Sequence, residues 1–171
     1  MKSSRFWIVC AAAAALLGLT VIARSLNMTA PASVERLDLS LAFEDVDGKT
    51  VRLSDFEGKP LVINLWATWC GPCRLEMPQL NDLAARYRDR GLTVVGISVD
   101  DTPEEIRAFA KEFGVTYPIL AGRDHAEALE ALGYYGGVPM SIFVRADGTV
   151  SYRLLGIAST PAWERRIEAL F

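Results

Sequence analysis

Residues 66–73 read WATWCGPC, and their two cysteines, Cys70 and Cys73, are separated by two residues. This stretch joins a short apolar run, suited to a strand buried on both faces, to a predicted helix from about Cys70 to Arg90. Residues i and i+3 share one face of a helical turn, so the two sulfurs can bond without moving the backbone. The helix N-terminus favours a thiolate at Cys70, whereas Cys73 lies inside the helix and is expected to be shielded. The pattern predicts a redox site in which Cys70 attacks a substrate disulfide and Cys73 releases the mixed disulfide.

The two intervening residues fit this chemistry. Pro72 suits the first helical turn, and Gly71 leaves room for a partner to approach. A zinc half-site is disfavoured because zinc normally needs four ligands, and the chain has three cysteines and one histidine, His125. A structural bridge is disfavoured because so small a loop adds little stability. Thiol–disulfide exchange is therefore the favoured interpretation, and no metal ligand is predicted.

On both sides of this motif the sequence predicts a mixed sheet flanked by helices, which is an α/β fold. The first predicted element is a hairpin around Asp47-Gly48. In the active-site helix, the apolar residues Leu75, Leu80, Leu83, Ala84 and Tyr87 are expected mostly on one face, and Gly91 ends the helix. The later predicted elements are a strand over 92–99, a helix from Thr102, a strand near 117–120, a helix over 124–132, strands over 138–144 and 149–155, and a last helix from Thr160 to the C-terminus.

The N-terminal segment predicts export. Residues 6–23 form an uncharged apolar run that is preceded by Lys2 and Arg5 and is just long enough to cross a bilayer. Residues 1–24 are therefore predicted to be a signal-anchor through the inner membrane, or a cleaved signal peptide, with the body outside the cytoplasm. Cys10 is a small hydrophobe within this run. Residues 25–36 are predicted to be a linker, and residues 37–171 a single domain.

The charge distribution argues against a nucleic-acid partner. The chain has 18 basic and 21 acidic residues, and the first 24 residues hold three of the bases and no acid. The body is therefore acidic, whereas binding to nucleic-acid phosphates requires clustered Lys and Arg.

The active-site motif WCGPC resembles the thioredoxin active site. The hairpin around Asp47-Gly48, the lead-in 66–69 and residues 96–100, GISVD, together with the N-terminal anchor, resemble the TlpA/ResA branch of membrane-tethered thiol–disulfide oxidoreductases of bacterial envelopes. The likeness covers about Leu37 to Phe171. It implies a thioredoxin fold with an N-terminal β-hairpin, a periplasmic location, and a redox-active Cys70–Cys73 disulfide with no other cofactor.

The resemblance also implies partners and a direction of electron flow. Members of the branch often reduce protein disulfides in cytochrome c maturation or keep metal-site thiols reduced. The expected substrates are therefore protein disulfides, among them those of apocytochrome c or of a copper-site protein. The expected electron donor is a membrane-embedded thiol-reducing protein.

Two further site predictions rest on the resemblance, and a third, at Trp69, rests on its position next to Cys70. Glu76, one turn after Cys73, matches a partly buried glutamate that tunes proton exchange at the cysteines; thioredoxin instead has an acid at the position of Asn64. Val138 and Pro139 match the cis-proline loop that offers backbone to the substrate. Trp69 is expected at the rim of the docking surface.

Three other functions compete with a reductase. The first is a disulfide oxidase or isomerase; strong oxidants have potentials near about −120 mV, whereas the Gly-Pro dipeptide matches thioredoxin, near about −270 mV. A peroxidase needs a further cysteine in the body. A Sco-like copper-delivery module would use both thiolates with His125, although that family has a wider cysteine spacing.

Overall fold

The computed structural model describes residues 35–171. Seven strands and four α-helices alternate along this part of the chain, with short 3₁₀ segments at Leu53–Phe56 and Arg88–Arg90. The strands are β1 (Ala42–Asp45), β2 (Thr50–Arg52), β3 (Leu61–Trp66), β4 (Thr93–Ser98), β5 (Ile119–Ala121), β6 (Met140–Val144) and β7 (Val150–Leu155). The helices are α1 (Gly71–Tyr87), α2 (Pro103–Phe113), α3 (Ala126–Ala131) and α4 (Thr160–Glu168).

All seven strands form one mixed sheet in the order β2-β1-β5-β4-β3-β6-β7. β3, β4 and β5 run parallel, and β1, β2, β6 and β7 join through antiparallel pairings. The central strands β3 and β6 are buried along their whole length, which is why their sequences are continuous apolar runs. The prediction of a mixed sheet flanked by helices is confirmed.

Side-chain contacts assign the helices to the two faces of the sheet. Val62, Asn64 and Trp66 alternate with their neighbours and share one face of β3. Asn64 bonds to Glu76 of α1, Trp66 packs on Phe109 of α2, and Phe143, the cross-strand partner of Val62, packs on Trp163 of α4. The opposite face carries α3: a Cβ built on Gly122 would meet both Leu129 of α3 and Ile97 of β4.

The local signals at the ends of the helices act as the sequence predicts. Thr102 caps α2: its Oγ1 accepts from the backbone N–H of Glu105, whose carboxylate in turn accepts from the N–H of Thr102. Gly91 adopts φ 92° just after the 3₁₀ segment that follows α1, a conformation that side chains with a Cβ avoid. Pro78 lies within α1, which continues past it.

Some predicted boundaries and faces are wrong. Leu75 does not join the buried face of α1: its side chain is 74% exposed, whereas Leu80 is 1% exposed. Position 75 follows Cys73 by only two residues and therefore points away from the face that the cysteine and Leu80 share. β5 begins two residues later than predicted, and α4 ends at Glu168, before the C-terminus.

The described part begins with residues that already pair with the sheet. Arg36 bridges to Thr149, and the carboxylate of Glu35 lies 2.6 Å from Arg153 of β7. The predicted membrane segment and most of the predicted linker lie outside the described residues, so the division into segment, linker and domain stays a prediction. Within residues 35–171 no helix is both long enough and apolar enough to cross a bilayer.

Candidate active site

Cys70 and Cys73 form a disulfide at the start of α1, so the structure represents the oxidised protein. Their Sγ atoms are 2.08 Å apart and their Cα atoms 5.2 Å apart. Cys70 is the N-cap residue of α1, and its Sγ accepts a hydrogen bond from the backbone N–H of Cys73 at 3.1 Å. An N–H donor already points at the Cys70 sulfur, and such a donor stabilises a thiolate when the bridge is reduced.

The two cysteines differ less in burial than the sequence suggests. Cys73 is shielded as predicted, with 1% of its surface exposed, but Cys70 is also only 3% exposed. The distinction between attacking and resolving sulfur therefore rests on helix position. Gly71 and Pro72 are both exposed, and a Cβ built on Gly71 would meet no atom within 4 Å, so the space expected beside the disulfide is present.

The loop before Cys70 is held by two consecutive carboxylates that follow β4. Asp101 accepts from the backbone N–H of Thr68 at 2.8 Å, from its hydroxyl at 2.6 Å, and from Ser98 Oγ at 2.5 Å. Asp100 accepts from the indole Nε1 of Trp69, with 3.0 Å to each carboxylate oxygen. Two residues of the loop before the nucleophile, Thr68 and Trp69, are thus fixed by side chains that follow the neighbouring parallel strand.

Sequence reasoning missed this role for Asp100 and Asp101. The sequence predicts Asp100 only as part of a family motif and assigns no role to Asp101. A signal was present: the two acids directly follow a buried strand that pairs with β3 in parallel, and carboxyl ends of parallel strands meet at one edge of the sheet. Trp69 is 63% exposed, as expected at a docking rim, whereas Trp66 is fully buried.

Glu76 is buried inside α1, one turn beyond Cys73, as the resemblance implied. Its Oε1 accepts from Asn64 Nδ2 at 2.9 Å, and its Oε2 has no partner among the described residues. Burial raises the pKa of Glu76 from 4.5 to about 7, while the hydrogen bond from Asn64 acts in the opposite direction. A carboxyl that titrates near neutral pH can accept and release a proton under working conditions.

The loop before β6 contains the cis peptide bond that the resemblance implied. It joins Val138 to Pro139 and is the only cis bond in residues 35–171. Met140 pairs with Leu65, which brings Pro139 to the end of the sheet from which β3 leads into the cysteine loop. The Pro139 carbonyl accepts from the N–H of Gly156 at 2.8 Å.

His125 lies apart from this arrangement. It precedes α3, and its ring packs on Phe43 with 5.4 Å between centroids. In the part of the chain that the structure describes, no group of three or more His, Cys, Asp or Glu side chains is arranged to hold a metal ion.

Comparison with known proteins places this geometry in a family. The model of the AhpC/TSA family matches residues 33–153, which is most of the chain. The chain belongs to the AhpC/TSA family. The thiol-disulfide oxidoreductase ResA of Geobacillus kaustophilus is 32% identical over 126 residues, which cover 74% of this chain and 71% of that protein.

Two further proteins with thiol–disulfide names are similar to this chain. The ResA protein of Oceanobacillus iheyensis is 38% identical over 107 residues, which cover 63% of this chain but only 55% of that protein. A thiol:disulfide interchange protein of Chlorobium tepidum TLS has a solved structure that matches with a TM-score of 0.72 at 29% identity, covering 81% of this chain and 99% of that one. The resemblance to ResA and the thioredoxin fold are confirmed, and the described domain is a thiol–disulfide oxidoreductase domain of this type.

Proposed function

We propose that the chain is an extracytoplasmic reductase of protein disulfides. The observation that carries the proposal is Cys70 at the N-cap of α1, bridged to Cys73, with the N–H of Cys73 donating to the Cys70 sulfur. Export is supported by the apolar run at residues 6–23 behind Lys2 and Arg5. In an oxidising compartment the reduced dithiol must be regenerated, which calls for the membrane-embedded thiol-reducing donor that the resemblance implies.

The reaction is two successive thiol–disulfide exchanges. The thiolate of reduced Cys70 attacks one sulfur of the substrate disulfide, forming a mixed disulfide and releasing the other substrate sulfur as a thiolate. The thiolate of Cys73 then attacks the Cys70 sulfur, which closes the Cys70–Cys73 bridge and releases the second substrate thiol. Two electrons pass to the substrate, and the donor returns two electrons to the bridge. No other cofactor takes part.

Glu76 supplies the proton transfer that the second exchange needs. Cys73 must lose its proton before it attacks, and Glu76 follows it by one helical turn. Because burial raises the pKa of Glu76 to about 7, its ionised form is a base matched to neutral pH. The proposed substrate-docking surface surrounds the disulfide end of the sheet. It consists of Trp69, Gly71, Pro72 and the backbone of Val138 and Pro139.

The dipeptide Gly71-Pro72 matches that of thioredoxin, which favours electron flow from the protein to its substrate disulfide. We expect a reduction potential near the thioredoxin value of about −270 mV. The proposed substrates are protein disulfides that must be reduced before a haem or a copper ion is inserted, as in cytochrome c maturation or at a copper site.

Two measurements on the purified full chain test the proposal. The potential is measured by equilibrating the protein with dithiothreitol redox buffers and quantifying free thiols by alkylation. Insulin reduction with dithiothreitol as donor measures activity, with Cys70→Ser as the inactive control. A potential near about −120 mV would assign the protein to the disulfide oxidases instead. Loss of copper binding in His125→Ala, combined with no insulin reduction by the unmodified chain, would support a Sco-like module.

A further inference from the structure

Three buried polar side chains from three elements meet beneath the disulfide. Asn64 lies on β3, Glu76 on α1 and Ser141 on β6, and all three are buried. Asn64 Nδ2 donates to Glu76 Oε1 and to Ser141 Oγ, at 2.9 Å in each case. Asn64 and Ser141 are direct cross-strand partners, so the sheet itself fixes their separation.

Two atoms of this cluster have no hydrogen-bond partner among the described residues. They are Asn64 Oδ1 and Glu76 Oε2. Buried polar atoms are nearly always paired, and an unpaired one calls for an explanation. An amide carries donors on one side and an acceptor on the other, and half a turn about its last side-chain bond exchanges them.

We propose that Asn64 is a positioning residue for Glu76 whose amide turns over with the carboxyl proton, with Ser141 as the partner that both orientations share. This inference deepens the proposed function, in which Glu76 accepts the proton of Cys73. It assigns roles in that step to Asn64 and Ser141.

Asn64 makes two hydrogen bonds, to Glu76 and to Ser141, in each protonation state of Glu76. When Glu76 is ionised, one N–H of Asn64 donates to Oε1 and the other donates to Ser141 Oγ, as observed. When Glu76 takes the proton of Cys73, the new O–H at Oε1 donates to Asn64 Oδ1, and the hydroxyl of Ser141 donates to the same oxygen. The covalent exchange is S–H for O–H, and Asn64 makes two hydrogen bonds, one to Glu76 and one to Ser141, before and after. The turned amide places its NH2 at the former position of Oδ1, which has no partner among the described residues. Glu76 therefore changes charge without losing its partner.

Neither an acid nor an apolar residue at position 64 could do this. A carboxylate there would repel ionised Glu76. A leucine there would leave Glu76 without this hydrogen-bond partner in both of its protonation states. The amide can hydrogen-bond to a carboxylate through its N–H and to a carboxylic acid through its oxygen, so Glu76 has a partner in both protonation states.

The other titratable groups near Glu76 do not replace this partner. Tyr117 faces it, but its hydroxyl donates to Met77 Sδ at 3.1 Å, and burial, followed by the charge of Glu76, raises the Tyr117 pKa. Tyr117 therefore stays neutral. On α1 itself the facing groups are Cys70 and Cys73, which are bridged in the oxidised protein and cannot titrate.

The test is a titration of the oxidised full chain by NMR, with Glu76 followed at its carboxyl carbon and Asn64 at its side-chain amide. We expect both signals to change with one midpoint. Asn64→Leu should raise the Glu76 midpoint by about one pH unit, which is about a tenfold change in the ionisation constant, because it removes a hydrogen bond to the carboxylate. Ser141→Ala should decouple the Asn64 signals from the Glu76 midpoint.

The matched control is Asn81→Leu. Asn81 lies on α1, the helix that carries Glu76, and its Nδ2 donates at 2.8 Å to the backbone carbonyl of Phe113. This variant should leave the Glu76 midpoint unchanged. An Asn64 amide that does not follow Glu76, or an Asn64→Leu midpoint equal to the original, would overturn the inference. If Asn64→Leu does not fold, the unmodified chain and Ser141→Ala still decide the outcome.

Activity is measured separately, so that the two proposals can fail independently. If the unmodified chain does not reduce insulin, the proposed function fails, while the linked titration of Asn64 and Glu76 still stands. If insulin is reduced but the two signals titrate independently, the function stands and the role of Asn64 is wrong.

Discussion

The indole Nε1 of Trp69 lies 3.0 Å from both carboxylate oxygens of Asp100, although 63% of the Trp69 surface is exposed. An exposed aromatic ring is normally free to change rotamer. Here one bifurcated hydrogen bond to a charged acceptor fixes the ring next to the nucleophilic cysteine. The charge of Asp100 also acts on Tyr134, whose pKa is raised by burial first and by Asp100 second.

Asp100→Ala should weaken docking of a protein substrate. Freeing the indole adds rotamer entropy that must be lost on binding, so KM for insulin should rise about threefold with kcat little changed. Asp100→Asn retains an acceptor oxygen and should recover most of the affinity. Asp89→Ala, which removes an equal charge at an exposed site after α1, controls for the change in net charge. An equal rise in KM for Asp100→Ala and Asp89→Ala would contradict this role for Asp100.

Asp101→Ala should destabilise the domain by about 2–4 kcal/mol, because it leaves the Thr68 N–H and two hydroxyl groups without their shared acceptor. Urea unfolding of the oxidised protein measures the effect. Asp101→Asn keeps one acceptor oxygen and should lose less stability. Equal losses in the two variants would mean that the charge of Asp101, not its hydrogen bonds, stabilises the loop.

Glu76 should make stability depend on pH. Its folded pKa, about 7, lies above the unfolded value of 4.5, so folding favours the protonated form. The contribution is complete below about pH 4.5 and is lost as the pH rises to about 7, by roughly 3 kcal/mol in all. The free energy of unfolding should therefore fall, relative to that of Glu76→Gln, between pH 4 and pH 8. Parallel curves for the two proteins would show that Glu76 does not titrate in this range.

Leu75 and Leu80 form a matched pair on α1. Leu80→Ala should cost about 2–5 kcal/mol, because its side chain is 1% exposed. Leu75→Ala should change stability by less than about 0.5 kcal/mol, because Leu75 is 74% exposed and alanine favours helices. Urea midpoints of the two variants check this. A large loss for Leu75→Ala would place that face of α1 against another surface.

Cys73→Ser should accumulate a mixed disulfide between Cys70 and its substrate. Without the second sulfur, the first exchange occurs and the second cannot. In cells that produce the full chain, we expect reducible adducts on non-reducing gels, and mass spectrometry identifies the trapped proteins. Cys70→Ser is the control and should trap none. Equal trapping by both variants would mean that Cys73 is also an attacking sulfur.

Local sequence determined the elements of this fold and the position of its chemistry. The alternation around Asp47-Gly48, the apolar run of β3 and the Thr102 cap depend on neighbouring residues, so each could be derived from a short window. The C-x-x-C pair is also local, because one helical turn brings both sulfurs together. The prediction that Leu75 joins the apolar face of α1 was wrong because it rested on an approximate count of apolar residues along the helix.

Tertiary structure alone decided which distant side chains act on that chemistry. Parallel pairing of β3 with β4 brings Asp100 and Asp101 to Trp69 and Thr68, and antiparallel pairing of β3 with β6 brings Ser141 to Asn64. These residues are about 30 to 80 positions apart. The physical reason is that hydrogen-bonded strand register fixes such contacts, and register depends on how all the strands pack together. The burial that raises the pKa of Glu76 also depends on tertiary structure, because a carboxyl on a helix becomes buried only when the helix packs against the sheet.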